Sequence, residues 1–217
     1  SNKISYDVQR KYFMGDELDC TMNYPVRDLL MDYMLGRSDA DTAVRRLNSL
    51  AENYPPENFY GALNLMGSHD RARTLTVLSD APGTRDESSD ISEEDKKNYR
   101  IPEDKIWLAK NRMKVLSLIQ YVLPGVPCLY YGDEAGVEGY GDPFCRATYP
   151  WSKENNELLD YYKKLGEIRR NNKAFCSGEF IPVYANFGEI VYIRKHKNEQ
   201  LLIAVTRWHE GSEVTIP

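Results

Sequence analysis

No Cys-x-x-Cys pair occurs in the sequence; its four cysteines, Cys20, Cys128, Cys145 and Cys176, are scattered. That spacing offers neither a zinc site nor a dithiol redox motif, and free, mostly buried thiols are the expectation. Long apolar runs are missing as well, and none reaches the length that spans a bilayer, so no membrane partner is expected. Basic residues are in the minority: 28 Lys and Arg against 33 Asp and Glu leave a net charge of −5. A positive stripe for phosphate backbones is therefore not indicated, which removes nucleic acid from the expected partners. The chain begins Ser1-Asn2-Lys3, with no Met and no signal-peptide pattern. The unpaired cysteines favour a cytoplasmic location.

What is present is a globular composition, 41% apolar and 28% charged over 217 residues, enough for a sizeable core. Sixteen Tyr make the chain tyrosine-rich; aromatic faces suit sugars, but Tyr also fills ordinary half-buried positions. The most informative stretch is Ala62–Arg73, ALNLMGSHDRAR. Its apolar run ends at Gly67 and is followed at once by Ser68, His69, Asp70 and Arg71, with Arg73 two places on. A short buried strand that ends in Gly and then presents His-Asp matches the way a parallel barrel places chemistry, at the carboxyl end of a strand.

Around that stretch the pattern alternates. Residues 1–16 read as a loop anchored by Tyr6, Tyr12 and Phe13. Leu18–Tyr24 reads as a strand closed by Pro25. Leu29, Leu30, Tyr33 and Met34 recur at helical spacing, predicting a helix over Val26–Leu35 that Gly36 ends. A second helix is expected over Asp39–Glu52, stopped by Pro55-Pro56. Residues 79–104 form one strongly polar segment, expected to be a long loop with a solvated charge run. Lys105–Val122 reads as a long amphipathic helix ended by Pro124-Gly125, Cys128–Tyr131 as a short strand, and Asn155–Arg170 as another helix. From Asn171-Asn172 onward, Glu179–Tyr184, Ile190–Lys195 and Leu201–Val205 read as an antiparallel meander. Helical crossovers between buried strands argue for a parallel α/β sheet, with a domain boundary near residue 173.

Three strand ends taken together carry a family likeness. Met22–Pro25 (MNYP), Asn64–Arg73 (NLMGSHDRAR) and Val126–Trp151 (VPCLYYGDEAGVEGYGDPFCRATYPW) resemble strands six, seven and eight of the α-amylase family of glycoside hydrolases, in its neopullulanase and cyclomaltodextrinase branch. The likeness covers residues 12 to about 172; the tail fits the family's C-terminal β-sandwich only by position and strand texture. It implies an α/β fold: residues 1–173 as the strand-six-to-eight portion of a (β/α)8 TIM barrel, and 174–217 as the start of an all-β domain. It also implies an α-glucan or maltooligosaccharide substrate, cleaved at α-1,4 and by extension α-1,6 links with retention. Of the family's three catalytic carboxylates only the transition-state stabiliser maps here, onto Asp70. His69 then donates to the same sugar, Arg73, Asp142 and Arg146 stand at the substrate rim, and Asn23 with Tyr24 lines the site below.

The departures count as much. No strand carries the family's apolar-Arg-apolar-Asp nucleophile, none ends in the acid Glu, and the strand-three Asn-His is absent. Residues 1–5 resemble the loop after the strand-five Glu, so the likeness implies a C-terminal piece whose partner is the rest of the barrel or a second copy. Retention needs two carboxyl groups about 5–5.5 Å apart, which one Asp cannot provide, so the piece alone is expected to be inactive. No cofactor is implied. Some relatives hold structural calcium, but no cluster of ligands here supports it.

Each residue also has a plainer reading. Asp70 is the type of residue that caps a helix after a strand. His69 on its own is a structural histidine. Asp142 and Arg146 suit a salt bridge pinning a loop, and Glu134 and Cys145 suit packing. Tyr149 and Trp151 suit either sugar stacking or packing under the loop. Two other functions stay open on the sequence, a non-catalytic glucan-binding or assembly module, favoured by the aromatic and acidic loop 130–151, and a glucanotransferase on the same barrel.

Overall fold

A computed structural model describes residues 11–12, 18–84, 91–208 and 213. Most of the anchored loop expected at 1–16 lies outside the described residues.

The first helix, α1 (Tyr24–Met34), starts two residues earlier than the apolar spacing predicts. Asn23 caps it, its Oδ1 accepting from the Val26 amide, and Pro25 sits in the first turn, where its fixed φ suits a helix and its missing N–H costs nothing. Pro25 therefore opens a helix as much as it closes a strand. The strand expected over Leu18–Tyr24 shrinks to one parallel bridge, Met22 to Leu63, with the Asn23 amide donating to Leu63 O at 2.8 Å. Helix α2 (Ala40–Asn53) is capped by Asp39, and α3 (Pro56–Gly61) follows at once.

Strand β1 (Leu63–Leu65) is the middle of three parallel segments. On one side lies the Met22 bridge and on the other β2 (Val126–Cys128), paired in register Leu63–Val126, Asn64–Pro127 and Leu65–Cys128. The expected strand at Cys128–Tyr131 thus sits two residues upstream. Tyr130 and Tyr131 are taken up instead by the loop that follows, where their rings flank a buried guanidinium. A buried amide network runs beneath the strands: Asn23 Nδ2 donates to Asn64 Oδ1, Asn64 Nδ2 to Pro124 O, and Gln120 Nε2 to Asn64 O and Cys128 O. Gly125, at φ +105°, is required here, because a Cβ would come within 2.6 Å of Asn64 Nδ2.

Between β1 and β2 come α4 (Thr74–Leu78), buried at every residue, α5 (Glu93–Asn98) and the long α6 (Glu103–Val122). The polar segment 79–104 is thus not structureless. Ser92 caps α5 on the Asp95 amide, acids fill its first turn, and Lys96 and Lys97 fill its last, matching the helix dipole. Helix α7 (Asn156–Asn171) is capped by Asn155, and α8 (Lys173–Ser177) is a short turn the periodicity did not announce.

The tail is a three-stranded antiparallel meander, β3 (Glu179–Asn186), β4 (Glu189–His196) and β5 (Glu199–Thr206), in the order β3-β4-β5. Its inner face does not stand apart. Ile190, Tyr192, Ile203 and Val205 belong to the same apolar cluster as Leu29, Leu30, Leu47 and Ile119 of α1, α2 and α6. Arg194, fully buried, stitches the seam: it donates to Val122 O at the end of α6 and to Gly178 O at 2.8 Å before β3. No helix among the described residues is long and apolar enough to cross a membrane.

Candidate active site

The turn after β1 is built by local hydrogen bonding. Ser68 Oγ accepts from the Asp70 amide at 3.1 Å, which fixes the turn and lifts the next side chains clear of the strand. The Asp70 carboxylate is met on both oxygens: His69 Nε2 lies 3.2 Å from Oδ1, and the Tyr24 hydroxyl lies 3.2 Å from Oδ2 and 3.0 Å from Ser68 Oγ. The side chains of His69 and Asp70 remain 58% and 61% exposed. Arg71 stands over the Tyr24 ring, 5.7 Å from its centroid. Asp70 is not a helix cap, since α4 begins four residues later with Arg73 at the cap position.

A polar groove of about 530 Å³ opens beside Asp70, with Arg71 and Asp142 among its walls and Arg27, Asp28 and Asp32 from α1 on its far side. Asp142 pairs with Arg146 at i,i+4, both well exposed, on the loop after β2. Asp70 and Asp142 therefore border one groove, and His69 and Tyr24 adjoin it through their contacts to the Asp70 carboxylate. Arg146, held by Asp142, faces a neighbouring depression together with Thr148 and Lys153. The salt-bridge reading holds for this pair, and of the two only Asp142 lines the groove beside Asp70.

Two expected substrate contacts do not reach the groove. Asn23 is 4% exposed and is spent on capping α1 and on Asn64. Arg73 is 0% exposed. Its guanidinium lies against the rings of Tyr130 and Tyr131, 4.4 and 4.7 Å from their centroids, donates to Tyr131 O, and is 3.7 Å from Asp133 Oδ1. Both residues sit beneath the site. The signal in the sequence was there: Arg73 directly precedes the apolar TLTVL helix, and a cation at the edge of a buried element needs a buried anion.

That anion, Asp133, received no role from the sequence. Thr74 Oγ1 donates to its Oδ2 at 2.9 Å. Burial pushes its carboxyl up to about 6 from an ordinary 3.8; the Thr74 bond and the Arg73 charge pull it down without cancelling that effect. Folding thus raises this pKa, so the folded protein keeps a proton that the unfolded chain releases between about pH 4 and pH 6. The group's contribution to stability is full below about pH 4 and is lost as the pH rises through about 6. Asp133→Asn should flatten this slope, which urea unfolding of both proteins across the window will read. A difference between them that is constant with pH, or of the opposite slope, would contradict the assignment.

The other residues fall into supporting places. Glu134 turns back to accept from the Gly132 amide at 2.8 Å. Cys145 is buried with its thiol on His69 O, whereas Cys20 and Cys128 are half-buried and Cys176 is exposed, so burial is less general than the sequence suggests. Tyr149 and Trp151 stack on each other at 4.6 Å, and Trp151 is 78% exposed rather than packed under the loop. Among the described residues no group of three or more His, Cys, Asp or Glu side chains is arranged to hold a metal ion.

No family model matches the chain. Individual proteins do. An amylopullulanase of Thermoanaerobacterium thermosulfurigenes is 35% identical over 183 residues, 79% of this chain and 9% of that protein. A cyclomaltodextrinase of Geobacillus thermopakistaniensis is 30% identical over 211 residues, 95% of this chain and 31% of its own length. Among solved structures, the cyclic α-maltosyl-(1→6)-maltose hydrolase of Arthrobacter globiformis superposes with a TM-score of 0.73 at 28% identity, over 90% of this chain and 39% of that one. The chain thus spans less than a third of the length of the two curated relatives.

Proposed function

Because the chain is homologous to part of the amylopullulanases and cyclomaltodextrinases, glycoside hydrolases of the α-amylase family, we propose that the protein carrying it cleaves α-1,4 glucosidic links, and by extension α-1,6 links, in maltooligosaccharides and related glucans with retention. In this reading residues 1–173 supply strands six to eight of a TIM barrel and 174–217 begin a β-domain. Asp70 is the transition-state stabiliser. A fixed anion beside the anomeric carbon favours the oxocarbenium-like transition state over the neutral ground state. His69 and Tyr24 orient that carboxylate and reach the same sugar, while Asp142 and Arg146 form the rim. The nucleophile and the general acid come from chain outside these 217 residues.

The observation that carries the reading is the exposed Asp70 carboxylate at the carboxyl end of a parallel strand, with His69 and Tyr24 each 3.2 Å from one of its oxygens. The test is reducing-sugar release from maltooligosaccharides and a cyclodextrin by the 217-residue chain, by the chain with an upstream fragment, and by the full-length protein. The chain alone should release nothing, and the upstream fragment should restore activity. Release by the chain alone would require two further catalytic carboxylates within these residues. A full-length protein that binds maltooligosaccharide without cleaving it, unaffected by Asp70→Asn, would make the chain a binding module instead.

A further inference from the structure

Asp70 sits at the crest of a turn whose two feet, Gly67 and Thr74, rest on the same buried carboxylate. At Gly67 the backbone comes so close that a Cβ would stand 2.4 Å from Asp133 Oδ2, and at Thr74 the hydroxyl donates to that oxygen. Asp133 belongs to the loop after β2, which also carries Asp142 and Arg146. Arg73 bolts the two segments together: its amide donates to Gly139 O at 2.9 Å, its guanidinium to Tyr131 O, and its charge faces Asp133 at 3.7 Å. The Tyr130 and Tyr131 ring faces supply further favourable field to a cation with no access to water.

We propose that Arg73 and Asp133 are a positioning pair, a buried clasp that sets the height of Asp70 relative to the Asp142–Arg146 rim. The pair touches no substrate and acts through the turn it holds. This inference rests on the function proposed for Asp70. Desolvated charges of this type tolerate little displacement, because losing either partner strands the other in a medium that cannot solvate it. Catalytic geometry tolerates as little: a misplacement of about 1 Å costs on the order of 10²-fold in rate.

The test compares full-length wild type, Arg73→Met/Asp133→Asn, in which both charges are gone and the Asn can still accept from Thr74, Asp133→Asn alone, and Asp70→Asn. The double variant should keep its thermal midpoint while kcat falls on the order of 10²-fold and KM moves little. Arg73→Lys should not preserve the clasp, since an ammonium lacks the flat fork that lies against both rings and reaches a carbonyl. Amide hydrogen exchange gives a readout that needs no activity: residues 68–72 should exchange faster in both Asp133 variants, with 113–120 in α6 unchanged. Wild-type turnover together with unchanged exchange at 68–72 would overturn the clasp. Retention of activity by Asp70→Asn, or no hydrolysis by the wild type, would instead overturn the function, with the exchange comparison still deciding the clasp. Should the double variant fail to fold, Asp133→Asn decides by the same exchange criterion.

Discussion

Asp70→Asn in the full-length protein should lower kcat on maltooligosaccharides by on the order of 10³-fold while KM stays within a few-fold. The substitution keeps the shape of the side chain and leaves one oxygen to meet Tyr24 or His69, so the turn built on Ser68 has no reason to move. What it removes is the negative charge. A neutral glucosyl ring in the ground state gains little from that charge, whereas the oxocarbenium-like transition state gains a great deal, so the loss belongs in kcat. Steady-state kinetics on a defined oligosaccharide separate the two constants. A rise in KM alone would mean that Asp70 only holds substrate, and the stabiliser role would go.

The second large effect is on stability. Arg194→Met should destabilise the fold by about 1–3 kcal/mol, because a buried cation that donates to two carbonyls is replaced by a side chain that donates to neither. Val122 O, at the end of α6, loses its guanidinium donor while remaining enclosed, and Gly178 O, at the entry to the meander, keeps only the Tyr60 hydroxyl at 3.1 Å. Part of the gain from deleting the charge works the other way: burial already holds the Arg194 pKa down, to about 10, so the native state bears a desolvation cost that Met does not. The stranded Val122 carbonyl and the bond lost at Gly178 O outweigh that relief. Urea unfolding of the variant against wild type measures the difference, and a change below about 1 kcal/mol would mean that the seam relaxes to satisfy those carbonyls in another way.

Helix positions were legible where apolar residues alone decide them. Leu47 and Leu50 in α2, and Met113, Leu116 and Ile119 in α6, repeat on one face and are buried on that face. The meander was legible for the same reason with a period of two, and its strands extend a residue or two beyond the alternation because cross-strand hydrogen bonds continue into polar residues at the ends. Legibility failed where one residue serves two purposes. Pro25 closes a strand in one grammar and opens a helix in the other, and the Asn23 cap settles it for the helix. Tyr130 and Tyr131 look like strand residues until the guanidinium they pack against is known. Within the site, the exposed His69 and Asp70 and the half-buried Tyr24 could be named from motif and strand context. Arg73 could be named, and its place before the apolar TLTVL helix pointed to burial, but the anion that burial requires lies 60 residues away and had no local signal.

The apolar cluster shared between the meander and the helices bears on recombination. A crossover at residue 173 looks natural from the change of texture, yet it cuts through one packing layer: Ile190, Tyr192, Ile203 and Val205 on one side fit Leu29, Leu30, Leu47 and Ile119 on the other. A chimera that takes its tail from another protein must bring matching volumes across that layer and a donor in the place of Arg194. The two sides are inherited as a pair, and a breakpoint in the turn between β4 and β5 divides the same layer, since Ile203 and Val205 lie beyond it.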